Sequence, residues 1–286
     1  MTTTRNALRA LAAGCLLLVG TRPGDASSEP IAIYEDWSTA ATLRADRWTA
    51  SSDPGLETER EVHGDKLDMR FRRAGGTGSD SDASFFSNRL SILNPLSITH
   101  LEVELKVKDV SVTGCPANVT PSITRAAAID LNRINDIAPG TPLPPGDITG
   151  DHIARVEVRR LSDSTDPAGM LTVRALLFRC NNAACTSSTV VGAPVVLGEV
   201  TTQERVRIRL SWDAAGNTFR AGLNDAPDVL VPYPPAVNAR PANSPFATLR
   251  IQHLPANCTV TSGGPTVGDA EIEVRSVWTN ASAVIP

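Results

Sequence analysis

Two short stretches carry side chains whose type and spacing could do chemistry. In Ala126–Ile134, Asp130 and Asn132 alternate with Ile129 and Leu131. In His152–Leu161, Arg155, Glu157 and Arg159 alternate with Val156 and Val158. A period of two puts alternate residues on opposite faces of a strand. If the two strands are neighbours, carboxylates, an amide and guanidiniums share one face, and such a face can orient a polar ligand such as a sugar. Tyr233, in the loop sequence PYPPAV, is the aromatic placed to join it. Glu57, Glu59 and Glu61 also share a face, but nothing apolar alternates with them, and the run reads as a solvated strand edge.

The elements that must position these groups are strands. Val206, Ile208 and Leu210 alternate with Arg205, Arg207 and Arg209. Asp213–Asn217 then supplies a turn, and Phe219, Ala221 and Leu223 return, so Glu204–Asn224 reads as a hairpin with one wet face. The arginines of its wet face are expected to meet Glu102 and Glu104 on Ile98–Val112, where Leu101, Val103, Leu105 and Val107 alternate with charged residues. About a dozen such runs, separated by Gly, Pro and Asn turns and with no sustained helical period, point to an all-β sandwich or barrel. Ala138–Gly150 and Val231–Pro245 are proline-rich loops.

Residues 1–26 read as a signal peptide. Arg5 and Arg9 precede a short apolar segment, Leu11–Gly20, and Gly24-Asp25-Ala26 offers a small-residue cleavage site. Residues 27–286 are expected to form one β-sandwich domain in a secreted protein, extracellular or periplasmic, with no membrane span. The formal net charge of −4 becomes more negative once the basic leader is removed, which argues against nucleic acid. Of five cysteines, Cys15 leaves with the leader. The even remainder suits an oxidising compartment. Three pairings are open; Cys180–Cys185 closes a short loop and is favoured, leaving Cys115–Cys258. A zinc site is a poor fit, because His63, His100, His152 and His253 are scattered.

Several features together resemble the concanavalin A-like lectin/glucanase (laminin G-like jelly-roll) superfamily. They are Tyr34-Glu35-Asp36-Trp37, then Asp46-Arg47-Trp48, then His63-Gly64-Asp65-Lys66-Leu67, and late in the chain Leu210-Ser211-Trp212-Asp213 with Gly216-Asn217 and Phe219. The resemblance implies a two-sheet antiparallel jelly roll, with Glu271–Trp278 pairing near the first strand and one face used for glycans. It also implies a structural calcium near the joined termini, for which Glu35, Asp36, Asp269 and Glu271 could supply oxygens; no other cofactor is expected. The hydrolytic branch of the superfamily, the family-16 glycosidases, carries E-x-D-x-x-E on one strand, and that motif is absent. The resulting expectation is a non-catalytic module that recognises an extracellular carbohydrate or cell-surface partner. A glycoside hydrolase or polysaccharide lyase with relocated acids, and an adhesion module without a small ligand, are the alternatives.

Overall fold

The structure, a computed structural model, describes residues 30–283. The expected signal peptide lies outside them. Fifteen strands follow one another: β1 (Ile31–Glu35), β2 (Trp48–Ser52), β3 (Glu57–His63), β4 (Lys66–Ala74), β5 (Phe86–Ile92), β6 (His100–Val112), β7 (Ile123–Asn135) and β8 (Asp151–Leu161). Then come β9 (Met170–Cys180), β10 (Ser188–Thr201), β11 (Arg205–Asp213), β12 (Thr218–Leu223), β13 (Val229–Pro232), β14 (Arg240–Leu254) and β15 (Val267–Asn280). All pairings between them are antiparallel.

The first sheet runs β13-β12-β11-β6-β15-β4-β3, with β1 added to β15; the second runs β10-β9-β8-β7-β14-β5-β2. The apolar rows read from the sequence meet between them. Val206, Ile208 and Leu210 join Leu101, Val103 and Leu105 on one side and Ile129, Leu131, Val156, Val158, Leu249 and Ile251 on the other, in a shared buried cluster. Burying each such side chain contributes about 1.5–3 kcal/mol. The hairpin turns where expected: Asn217 takes a left-handed φ of 48°, and Asp213 Oδ1 accepts the Gly216 N–H at 2.9 Å.

Two details fix how the layers sit. Ile33 of β1 lies opposite Trp278 of β15, so the described chain ends meet on one strand, as the resemblance implied. His253 stacks on Phe71 of the facing sheet, with ring centroids 5.1 Å apart, and donates from Nε2 to the Phe71 carbonyl at 2.8 Å. Gly268 is required here, because a Cβ would come within 2.7 Å of the His253 ring.

Both disulfides form as favoured, Cys115–Cys258 and Cys180–Cys185. The Gly75–Asp82 stretch, glycine-rich and unpatterned in sequence, is pinned down. Asp80 accepts the Thr259 N–H at 2.7 Å and the Ser262 hydroxyl at 2.8 Å, which ties that loop to the longer-range disulfide.

Candidate functional site: a buried arginine–carboxylate lattice

Strands β14, β7, β8 and β9 are consecutive in the second sheet, and their side chains facing away from the core form one connected polar lattice. Asp130 lies opposite Arg155 across β7–β8 and opposite Thr248 across β7–β14. Its Oδ1 accepts Arg155 Nε at 2.6 Å, its Oδ2 accepts the Thr248 hydroxyl at 3.0 Å, and Arg250 Nη2 forms an ion pair with Oδ2 at 2.5 Å. Glu157 lies opposite Arg174. It accepts Arg174 Nε at 2.6 Å and Arg125 Nε, with Arg159 at 3.7 Å and Arg155 at 3.8 Å. Gln252 Oε1 ties the two halves together, accepting Arg125 Nη1 at 2.5 Å and Arg155 Nη1 at 3.1 Å.

Arg125 reaches this face only through a bulge. By simple alternation it shares the parity of Ala127, Ile129 and Leu131 and should point into the core. A register shift between Arg125 and Ala127 turns it outward, as bulges re-aim side chains. Arg250, Gln252 and Thr248 reach the face from β14, more than a hundred residues away in sequence. Sequence reasoning missed these three and Arg125 and Arg174. The one signal was the alternation of Thr248, Arg250 and Gln252 within Phe246–Leu254.

The lattice is deeply buried. Asp130 and Glu157 are 0% exposed and Arg155 5%. At one end an apolar cluster closes it: Ile153, Leu176 and Phe178 pack with Ile148, Phe246 and the Cys180–Cys185 bridge. Arg155 sits over the Phe178 ring, 4.8 Å from its centroid. The disulfide loop holds the β7–β8 connection in place through Ile148 N–H to Ala183 O at 3.1 Å and Gly150 N–H to Cys180 O at 2.8 Å. At the other end, beyond Arg159, the β8–β9 turn walls a pocket of about 250 Å³.

Charge and burial compete in the lattice. Burial alone would push the Glu157 carboxyl up, but the guanidiniums of Arg125, Arg155 and Arg174 outweigh it and take it down to about 2. Asp130 is lowered in the same way: burial opposes, and Arg155 and Arg250 prevail. Burial lowers Arg125 to about 10 and Arg250 to about 9, so both remain cations at neutral pH. Five arginines therefore face two ionised carboxylates. Three donors here are buried with no acceptor among the described residues: Arg250 Nε, Gln252 Nε2 and Arg159 Nε.

This corrects the expected ligand face. β7 and β8 are neighbours, and Asp130, Arg155, Glu157 and Arg159 do share a face, but it is not an open hydrogen-bonding surface. Its carboxylates are consumed by guanidiniums. Asn132 lies at the closed end, where its amide donates to Asp151 Oδ2 at 2.7 Å and to the Ser244 carbonyl at 2.8 Å. Tyr233 is not part of the face at all. It is 4% exposed, packs on Phe219 at 5.6 Å, and its hydroxyl accepts Trp212 Nε1 at 2.8 Å.

The four oxygen donors considered for calcium do not converge. Glu35 lies opposite Val277, whereas Asp269 and Glu271 lie opposite Arg72 and Arg70 on β4. Six or more strand residues separate the two groups, about 20 Å at 3.3 Å per residue. Among the described residues, the one His/Cys/Asp/Glu grouping close enough to hold an ion is Asp80 with Cys115 and Cys258, and those sulfurs are bonded to each other. The wet face of the first sheet behaves as expected: Arg207 meets Glu102 at 3.4 Å and Glu104 at 3.8 Å. Arg209 instead reaches Asp228 at 2.9 Å.

No known family profile matches the sequence, and no curated protein does. Solved structures with a similar course of chain include SCLam, a non-specific endo-β-1,3(4)-glucanase from family GH16, at 9% identity, covering 89% of this chain and 92% of that one with a TM-score of 0.45. A second is the catalytic domain of an endo-1,3-β-glucanase (laminarinase) from Thermotoga petrophila, at 11% identity, 88% and 99% coverage and a TM-score of 0.44. A third is the Crh5 transglycosylase in complex with NAG, at 16% identity, 90% and 85% coverage and a TM-score of 0.42. By its strand order this fold is a concanavalin A-like jelly roll. The expected non-catalytic carbohydrate-recognition module is nonetheless corrected. The face meant to hold a sugar by open polar contacts is locked by its own ion pairs.

Proposed function

We propose that the chain is a carbohydrate-active enzyme of the polysaccharide lyase type, acting on an acidic polysaccharide along the arginine-rich face of the second sheet. The observation that carries this reading is the surplus of guanidiniums over carboxylates in the lattice. Arg250 Nε, Gln252 Nε2 and Arg159 Nε lie on a face with a surplus of guanidiniums over carboxylates. The fixed positive charge of that surplus favours an anionic polymer over a neutral glucan, and the pocket beside Arg159 is where such a polymer can reach the edge of the face.

The ionisation state separates lyase from hydrolase chemistry. A two-carboxylate glycosidase needs one carboxyl that holds a proton near neutrality. Here Glu157 is held down at about 2 and Asp130 is lowered as well, so neither serves as that acid. Elimination from a uronate makes a different demand. A base takes the proton beside the carboxylate, and charge builds on the carboxylate oxygens, where fixed positive charge stabilises it. The electron pair then forms the C=C bond as the C–O bond to the leaving sugar breaks and its oxygen takes a proton from water. Arg155 and Arg250 are buried and paired with Asp130 and Gln252, so they supply fixed positive charge beneath the face and not hydrogen bonds to the ligand itself. The two disulfides support a secreted or periplasmic setting, where such polymers occur.

The test is incubation of the protein with uronate-containing polysaccharides and with neutral β-glucans. Unsaturated uronate ends from the acidic polymers alone, lost in Arg155→Gln, are the expected result. New reducing ends without unsaturation would replace the lyase by a hydrolase, and absence of turnover on every polymer would end the enzymatic reading.

A further inference from the structure

The pocket of about 250 Å³ beyond Arg159 is continuous with the lattice but not filled by it. Arg159 and Thr172 are opposed across β8–β9, one step along the strands from the opposed pair Glu157 and Arg174. Both point to the face that carries the lattice. Arg159 differs from the other lattice arginines. It makes no hydrogen bond among the described residues, its charge partners are Glu157 at 3.7 Å and, at longer range, Asp163, and its Nε is buried without an acceptor.

The wall of the pocket is preformed. Arg160 clamps the β8–β9 turn, donating to the carbonyls of Pro167 at 2.9 Å, Met170 at 2.7 Å and Asp166 at 2.9 Å. Ser164 donates to Asp166 Oδ2 at 2.7 Å, which leaves Asp163 as the carboxylate of the lining that accepts no hydrogen bond among the described residues. The pocket thus offers a guanidinium with no hydrogen-bonded carboxylate for an acid group, a carboxylate and the Thr172 side chain for hydroxyls, and the Met170 side chain as an apolar patch. Its volume is below the roughly 300–1,000 Å³ typical of drug-sized ligands, which suits one sugar residue and not a longer segment.

We infer that the β8–β9 pocket is a subsite for a single uronate residue at the end of the bound chain, with Arg159 on its carboxylate and Asp163 on its hydroxyls. The inference rests on the proposed acidic-polysaccharide reading, and its test is a binding measurement, so that the two fail separately. Thr165, exposed at the rim, is replaced by Trp to fill the pocket without touching the lattice. Calorimetry with oligouronates of graded length then follows affinity for the wild type and Thr165→Trp. The wild type gains roughly tenfold in affinity, about 1.4 kcal/mol, at the length that first reaches the pocket. Thr165→Trp lacks that step, and Asp163→Ala shows it reduced. Identical length dependence in all three proteins overturns the subsite, as does absence of binding at every length. A step in binding without any turnover upholds the subsite and removes the lyase reading; turnover with no step does the reverse.

Discussion

Glu157 accepts the Nε–H of Arg174 at 2.6 Å from the directly opposed position on the neighbouring strand, while its other oxygen takes Arg125 from the strand on the opposite side. One carboxylate thereby spans three strands. Replacing Glu157 by Ala leaves several buried guanidiniums without their counter-charge, and removal of one partner from a buried ion pair costs about 3–5 kcal/mol. Urea unfolding of Glu157→Ala should show a loss of that order. Arg159→Gln, at 3.7 Å and without a hydrogen bond, should stay within about 1 kcal/mol of wild type. Equal losses for the two variants would mean that the lattice is not organised around Glu157.

Acid sensitivity should come in two stages. His253 is buried, and burial lowers it from 6.5 to about 4. The unfolded chain therefore takes up a proton first, and stability falls as pH drops from about 6.5 to 4. Glu157 lies at about 2 against 4.5; its contribution is complete above 4.5 and is lost as pH falls from there towards 2. Urea midpoints measured across this range should decline in both windows. In His253→Gln the decline between 6.5 and 4 should be shallower and the lower one unchanged. A flat profile down to pH 4 in the wild type would contradict the burial of His253.

The two disulfides should differ in weight. Cys115–Cys258 joins positions 143 residues apart, and Cys180–Cys185 positions 5 apart. Loop-closure entropy gives about 5 kcal/mol for the first and about 2 kcal/mol for the second. Thermal unfolding of the Cys115→Ala/Cys258→Ala and Cys180→Ala/Cys185→Ala double variants should rank in that order. The reverse ranking would show that the short loop matters chiefly by holding Ile148 and Gly150 in place.

Tyr233→Phe tests the placement of that ring. It removes the acceptor for Trp212 Nε1 and should cost about 1 kcal/mol, with no change in binding or turnover of any acidic polymer. A drop in oligouronate affinity at unchanged stability would put Tyr233 back at the ligand face.

Alternation along single strands was enough to assign the all-β class, the inward rows such as Val206/Ile208/Leu210, and the sharing of a face by Asp130, Arg155 and Glu157. Those properties follow from the two-residue repeat of a pleated strand, which is local. The same logic failed for Arg125, because a one-residue bulge inverts parity and leaves no mark in the composition. It could not join Arg250 and Gln252 to Asp130 and Glu157, because β14 pairs with β7 across more than a hundred residues. Nor could it tell an open polar face from a closed one. Whether an outward side chain meets water depends on what stands beside and above it, and here that is decided by guanidiniums from β7, β8, β9 and β14 and by the wall of Ile153, Phe178 and Phe246.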